Sequence, residues 1–563
     1  MVFYNKILII LFMFLMFCER YKKYLAVFNS KDFLSIGIDS FKTIQKEYKI
    51  AFLLNFLLLN AVYLYFNMNF LHGSHDWMHL QYDLDQEHYI TIGRFSIPVI
   101  SALLEWKYLP FLNHCLGFIF LSLTPIFLIK YWKLPVTVFN IFALSSLLLL
   151  YPLLPAVLYF LHLSYAYLLA PLLIVIALIL SEKKNCLFSL LSVLLLVFAI
   201  GDYNVCLNTL AVIFLGKMLL EHANGNSFSA LFKTYFRTIR IICISCIIYF
   251  IIIQWLKYTG IFAEKYNTAL LASDQILPRI FTVFVDSFKH FYTTYPFLDL
   301  KYVILLSLLF VPMLVLMVGG AMQRKSACCL LGSLFIFTAI IFSANSIHCI
   351  TDTYVLFYTY VTYFSLPYVY TCAIAYILNS RLQWTKNVFV LLLIPICYFS
   401  VIRDFECQKF WKIGLDGDKT IITRLVDRIE QQDEFSYKTS YHFISIGYYT
   451  AFNSAYYQSQ YDQNNAVVNN TFFPPKSLWA FISQMPRIKW FKSAYLIDES
   501  SPVDKIQEKF SDIPKDCIMK LKPWPHKNSV AIYENKIIVC WQEEELEYVK
   551  KVLAKQPESQ NGE

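Results

Sequence analysis

Charge is what this sequence has least of. Only 15% of its 563 residues are Asp, Glu, Lys or Arg, against about 25% in a soluble globular protein, and mean hydropathy is +0.51. That excludes an ordinary water-soluble enzyme and points to a polytopic membrane protein. The formal net charge of +9 is not gathered into any Lys/Arg-rich run long enough to follow a phosphate backbone, so a nucleic-acid partner is rejected. There is no Gly-rich phosphate loop or nucleotide fingerprint. There is no internal repeat of the kind that marks many transporters, and no small-residue cleavage site follows the first apolar run. Fourteen cysteines are present, mostly inside apolar runs, where a thiol behaves as a small hydrophobe. Cys243-Ile-Ser-Cys246 has the spacing of a redox or zinc motif but lacks a second pair. Cys407, Cys517 and Cys540 fall in a polar tail, where a disulfide requires an oxidising compartment.

What the chain does have is a series of apolar runs separated by short polar loops. The run at residues 6–18 is too short to span, since a crossing takes about twenty residues; it reads as an interfacial helix. Residues 1–49 as a whole suit a cytoplasmic or interfacial segment lying on the membrane face. The first firm span is residues 50–70, preceded by Lys42, Lys46 and Lys49 and followed by an acidic loop, 71–95. The positive-inside rule places that loop outside. Residues 96–106 are apolar but short and are expected along the outer interface.

Further spans are read near residues 111–129, 134–151, 160–180, 186–200, 205–220, 241–256, 302–319, 327–345, 354–378 and 387–402. Alternate loops carry Lys130 and Lys133; Lys183 and Lys184; Lys233, Arg237 and Arg240; Arg324 and Lys325; Arg381 and Lys386. These basic loops support about eleven spans, with the N-terminus inside and the C-terminus outside. Gly201-Asp-Tyr-Asn204 is either a tight outer turn between two helices or a break in one long helix, and the basic loops favour the turn. Residues 50–402 thus form the membrane domain. Residues 403–563 have no span and read as a small extracytoplasmic α/β domain: a helix at 419–431, a strand at 441–446, a hairpin of 530–533 with 536–541, and a closing helix at 542–554.

The chemistry-bearing stretch is the first outer loop, from His72-Gly-Ser-His-Asp-Trp-Met-His79 to Gly93-Arg94. Sugar transfer to a hydroxyl needs a base, commonly a carboxylate, and a leaving phosphate needs a cation. Asp76 is the candidate base. Arg94 is the only Lys or Arg in the loop, and its fork of N–H donors matches phosphate oxygens. His75, Asp83, Asp85 and Glu87 are supporting candidates for substrate binding, although acids also collect in outer loops because basic residues are retained inside. His75-Asp-Trp-Met-His79 resembles the H-E-x-x-H spacing of metalloproteases. The shorter Asp replaces Glu and no third ligand follows, which argues against zinc hydrolysis; a divalent ion held by His75, Asp76 and His79 stays open. Tyr65, Trp77, Tyr82 and Tyr89 surround the acids, but Trp and Tyr gather at every membrane interface. Asp202 sits between apolar runs, where a carboxylate is expensive unless it meets water or a partner. With Tyr203 it either lines the same outer cavity or holds the turn. His348, Asp352 and Tyr354 occupy another outer loop, and Glu264, Lys265, Asp274 and Arg279 a longer one.

These features resemble the GtrII-type glucosyltransferases that modify O-antigen and related bacterial surface glycans. In that family an acidic pair follows the first span and a Gly-Arg comes further on, matched here by His75-Asp76 and Gly93-Arg94. The Tyr-containing turn at Gly201-Asp-Tyr-Asn204 and the tail segments at 418–430, 442–447 and 528–541 are also similar. Two departures are His75 in place of the first acid and Thr351-Asp-Thr-Tyr without an Arg. The resemblance implies a GT-C-like membrane fold in the bacterial inner membrane. It implies a polyprenyl-phosphate-linked sugar donor, with glucose expected, and a surface polysaccharide or lipid-linked glycan, such as the O-antigen of lipopolysaccharide, as acceptor. Transfer would invert the anomeric carbon in one displacement, with Asp76 as base and Arg94 on the phosphate; beyond the ion left open, it implies no cofactor. The rivals are a lipid-linked glycan polymerase or ligase, which would need an Arg-rich outer loop in mid-chain, and a transporter or flippase. A transporter would carry charges along a path within its spans, and here the span interiors are almost uncharged.

Overall fold

A computed structural model describes residues 45–71, 86–102, 104–107, 109–152, 154–158, 160–261, 273–293, 300–349, 364–380, 382–447, 491–499 and 501–554. The apolar run at 6–18, most of the first outer loop, Glu264 with Lys265, and Asp352 with Tyr354 lie outside them. The chain is mostly helical. Six helical stretches are long and apolar enough to cross a membrane: Pro110–Tyr131, Leu161–Ser181, Cys206–Ala223, Phe228–Tyr258, Leu300–Gln323 and Gln383–Lys409. Four shorter apolar helices, Val138–Leu149, Cys186–Asp202, Ala327–Ser343 and Leu366–Asn379, lie among them.

In chain order the helices are α1 (Lys46–Val62), α2 (Leu64–Asn69), α3 (Gln86–Thr91), α4 (Ser96–Ala102), α5 (Pro110–Tyr131), α6 (Val138–Leu149), the short α7 (Leu154–Leu158) and α8 (Leu161–Ser181). Then come α9 (Cys186–Asp202), α10 (Cys206–Ala223), α11 (Phe228–Tyr258), α12 (Ser273–Lys289), α13 (Leu300–Ser307), α14 (Phe310–Gln323), α15 (Ala327–Ser343), α16 (Leu366–Asn379) and α17 (Gln383–Glu430). α8 is apolar all round and buried along most of its length against α5 and α9, as a helix with no polar stripe must be. The turn at Gly201 to Asn204 resolves as two helices, α9 and α10.

Chain reversal gathers the helix ends into two sets. At the Lys/Arg-rich end, Lys133 meets Glu221 at 3.5 Å, Asn379 Nδ2 donates to Asn224 Oδ1 at 3.0 Å and Arg237 donates to the Asn185 carbonyl at 3.0 Å. Lys217, fully buried, donates to the Tyr131 carbonyl at 2.6 Å and lies 3.6 Å from Glu221. Four helices that start at this end carry side-chain caps, from Thr137, Asn185, Ser227 and Ser326. Each oxygen accepts one of the amide hydrogens that a helix leaves unsatisfied at its start.

Three sequence expectations need correction. Lys233, Arg237 and Arg240 belong to helix α11 rather than to a loop before it. Residues 96–102 form α4, whose Ser96, Ile97, Pro98, Ile100 and Ser101 are buried against α8 and α9, so the segment packs inside rather than along the interface. The last apolar run and the helix expected at 419–431 are one continuous helix, α17, of 48 residues, about 70 Å long at 1.5 Å per residue. The change from apolar to polar composition after Arg403 marks a change of surroundings, not a helix end. In addition, Cys407, Cys517 and Cys540 are free thiols, with Cys407 and Cys540 buried, so no disulfide joins them.

The end of α17 packs on one face of a four-stranded sheet ordered β2-β1-β4-β3, made of β1 (Tyr441–Ile446), β2 (Phe491–Ile497), β3 (Val530–Tyr533) and β4 (Lys536–Cys540). β1 runs parallel to β2 and β4, while β3 and β4 form the expected antiparallel hairpin. Ile421, Leu425 and Ile429 pack with Phe443, Ile537 and Trp541 on that face. On the other, α18 (Val503–Phe510), α19 (Lys515–Met519) and α20 (Glu543–Ala554) cover Ile444, Ile446 and Ile538.

α17 also holds the break between α1 and α2. Between α1 and α2 the regular bond from the Phe66 amide to the Val62 carbonyl is lost at Tyr63, and Gln408 of α17 replaces it. Gln408 Oε1 accepts from the Phe66 amide at 3.0 Å, and Nε2 donates to the Val62 carbonyl at 3.0 Å. One turn earlier on α17, Asp404 Oδ1 accepts from the Tyr63 hydroxyl at 3.0 Å. Broken helices persist in lipid only where such partners resatisfy the freed backbone. Replacing Gln408 with Leu should therefore lower the apparent Tm of the purified protein, since two buried polar groups lose partners at about 1–3 kcal/mol each. Gln408→Glu, which keeps only the acceptor, should fall between; an unchanged Tm in Gln408→Leu would contradict the bridging role.

Candidate active site

The end opposite the basic loops holds the described part of the sequence-predicted site. α3 closes after Thr91 in a Schellman turn, with the Arg94 amide donating to the Tyr89 carbonyl at 2.8 Å and the Gly93 amide to the Ile90 carbonyl at 3.0 Å. Gly93 takes the left-handed conformation this requires, φ 78°, which costs an L side chain about 1–2 kcal/mol. The Gly-Arg dipeptide thus has a local physical reason: Gly93 turns the chain and Arg94 leaves the turn toward α8 and α10.

Arg94 is half-buried among tyrosines. Its Nη1 donates to the Tyr167 hydroxyl at 2.5 Å, and the guanidinium lies 4.7 Å from the Tyr203 ring centroid and 5.8 Å from that of Tyr167. The two rings are 5.3 Å apart, and Phe364 packs on Tyr203 at 5.1 Å. A cation over aromatic faces is held electrostatically, and the Tyr167 bond fixes the plane of the fork. Asp202 is 1% exposed and ends α9 beside this group. Neither of its oxygens has a hydrogen-bond partner among the described residues, while Arg94 acts on it through space. The approach of α9 to the Arg94 segment is close: a Cβ at Gly201 would lie 2.4 Å from the Phe95 ring and 2.8 Å from Ser96 Oγ. Glycine at 201 is what lets Asp202 and Tyr203 reach Arg94.

Of the sequence-predicted residues, Arg94, Asp202 and Tyr203 are brought together. Glu87 is not; it is exposed on α3, whose opposite face buries Tyr89 and Ile90. His75, Asp76, His79, Asp83 and Asp85 lie outside the described residues. Among the described residues no group of three or more His, Cys, Asp or Glu side chains could hold a metal ion. His348 is buried in the turn Ser346–Cys349, which Asn208 pins to the start of α10 by accepting from the Ile347 amide at 3.0 Å and from Ser346 Oγ at 3.0 Å. Tyr167 and Asn208 were missed by sequence reasoning. Their only signal was polarity close to the start of an otherwise apolar run. The expected consequence concerns Gly93: Gly93→Asn, which tolerates left-handed φ, should keep near-normal stability, whereas Gly93→Val should lower the apparent Tm. Equal effects of the two would contradict the turn argument.

The Arg94–Tyr203 group falls within the part of the chain that matches a known family. The model of the glucosyl transferase GtrII family covers residues 62–378, more than half of the 563 residues. The match starts at the break between α1 and α2 and ends at α16, taking in α3, α8, α9 and α10. No curated protein and no solved structure matches the chain. By the extent of the family match, from Val62 through the Arg94 and Asp202 turns to Leu378, this chain belongs to the GtrII glucosyl transferases.

Proposed function

We propose that this glucosyltransferase moves glucose from a polyprenyl-phosphate-linked donor to O-antigen or another surface glycan, at the outer face of the bacterial inner membrane. The observation that carries the reading is the Arg94 guanidinium seated on Tyr203, beside the buried Asp202, at the bundle end opposite the basic loops. With the basic end in the cytoplasm, α1 with α2, α5, α6, α8, α9, α10, α11, α13 with α14, α15, α16 and α17 make eleven crossings. Residues 50–402 then form the membrane domain and 403–563 an α/β domain on the outer side. Nucleotide sugars are cytoplasmic, so a lipid phosphosugar is the donor that suits an outer site.

In the proposed reaction Asp76 takes the proton of the acceptor hydroxyl as its oxygen bonds the anomeric carbon. The bond from that carbon to the phosphate oxygen breaks, and the electron pair leaves with the phosphate. The displacement is single and inverting. Arg94, its plane set by Tyr167 and its face seated on Tyr203, binds the departing phosphate. An orphaned buried carboxyl beside an oriented guanidinium supports a site organised around charge rather than packing alone. Asp83, Asp85 and Glu87 are proposed to contact the sugars, and His75 or His79 to share an ion with Asp76 if the reaction requires one.

The test is transfer measured on the surface polysaccharide with each variant at equal membrane abundance. Asp76→Asn should lower transfer by about 100- to 10,000-fold, and Arg94→Gln by about 100- to 1,000-fold. Full transfer by Asp76→Asn would sink the mechanism, and loss of polymer length instead of a side branch would favour a polymerase.

A further inference from the structure

A second site is built at the opposite, basic end. A cavity of about 530 Å³ opens between the end of α10, the start of α11, the end of α14 and the start of α15, within the range of about 300–1,000 Å³ typical of small-molecule pockets. Arg324 stands at its wall. Its Nη1 donates to the His222 carbonyl at 3.2 Å and its Nη2 to the Ala223 carbonyl, closing α10. These bonds hold the guanidinium but do not cancel its charge, and among the described residues no carboxylate pairs with it. His222 lines the same cavity. Its Nδ1 is 2.8 Å from the Asn226 carbonyl and its Nε2 is 3.1 Å from the Cys329 carbonyl. Two Ser-capped helix starts, at Phe228 and Ala327, face the same space, and each adds partial positive charge.

The mouth is different in kind. Phe228 is 45% exposed, and Leu331 and Phe335 are each 64% exposed, with the two Phe rings 6.1 Å apart. These side chains continue into the outward apolar faces of α11 and α15 that lipid tails would cover. We propose that this cavity binds an anionic phospholipid of the leaflet at the basic end, its phosphate against Arg324 and the two capped helix starts and its acyl chains along Phe228, Leu331 and Phe335. A soluble anion would use the basic wall but leave the apolar mouth without a role; a neutral lipid would do the reverse.

The experiment titrates the purified full-length protein, in a neutral detergent, with phosphatidylglycerol, phosphatidylcholine or inorganic phosphate while following apparent Tm. Phosphatidylglycerol should raise Tm at concentrations where the other two do not. Arg324→Gln should weaken that response by about five- to tenfold. Because Arg324 also closes α10, Cys328→Trp provides the second variant: it fills the cavity from the mouth without touching those bonds, and should abolish the response while leaving the lipid-free Tm near normal. A phosphatidylglycerol response undiminished in Cys328→Trp, or matched by phosphatidylcholine or by phosphate alone, would overturn the proposal.

Discussion

The contact on which the bundle end opposite the basic loops depends is the Arg94 guanidinium seated on Tyr203 and bonded to Tyr167. A cation half-buried at the end of an apolar bundle has to be compensated, and each feature around it contributes. Gly93 turns the chain so that Arg94 leaves α3 in the right direction. Gly201 lets α9 approach Phe95 and Ser96 closely. Asp202 lies buried beside it, its carboxyl without a hydrogen bond among the described residues. Tyr167 comes from α8, a helix buried along most of its length, so the fork is oriented by a rigid element.

The two ends of the bundle solve opposite problems. At the basic end, four helix starts are capped by Thr, Asn and Ser, and the cations Lys133 and Lys217 share Glu221. At the other end α5, α8, α10 and α16 begin without a side-chain cap, and Asp202 has no hydrogen bond among the described residues. Polar groups kept unsatisfied in an apolar setting cost stability, and such sites tend to be functional. α17 ties this end to the sheet beyond it. The helix whose Gln408 repairs the break between α1 and α2 also carries Ile421, Leu425 and Ile429 onto β1 and β4.

Much of this was legible in the sequence because lipid imposes a simple rule: apolar runs, basic loops and turn residues mark where helices start and stop. The separation of α9 from α10 followed from Gly201 to Asn204 and from basic residues on either side, and β1, the β3–β4 hairpin and the closing helix followed from alternation and turn residues. The continuity of α17 was not legible, because composition reports surroundings and the helix passes from apolar to polar ones without breaking. Strand β2 was missed, since Phe491 to Ile497 mixes polar and apolar residues without clear alternation. Within the site, Arg94, Asp202 and Tyr203 were legible as polar residues in costly places. Tyr167 and Gln408 were not, because their partners lie far away in sequence and only packing brings them together.

The proposal that the Arg94 end works on a lipid-borne phosphosugar is tested most directly by sugar transfer by the purified full-length protein in proteoliposomes, supplied with a glycan acceptor and either polyprenyl-phosphate glucose or a nucleotide-activated glucose. Transfer is expected from the lipid-linked donor alone; transfer from the nucleotide sugar without any lipid-linked donor would contradict a lipid-borne donor.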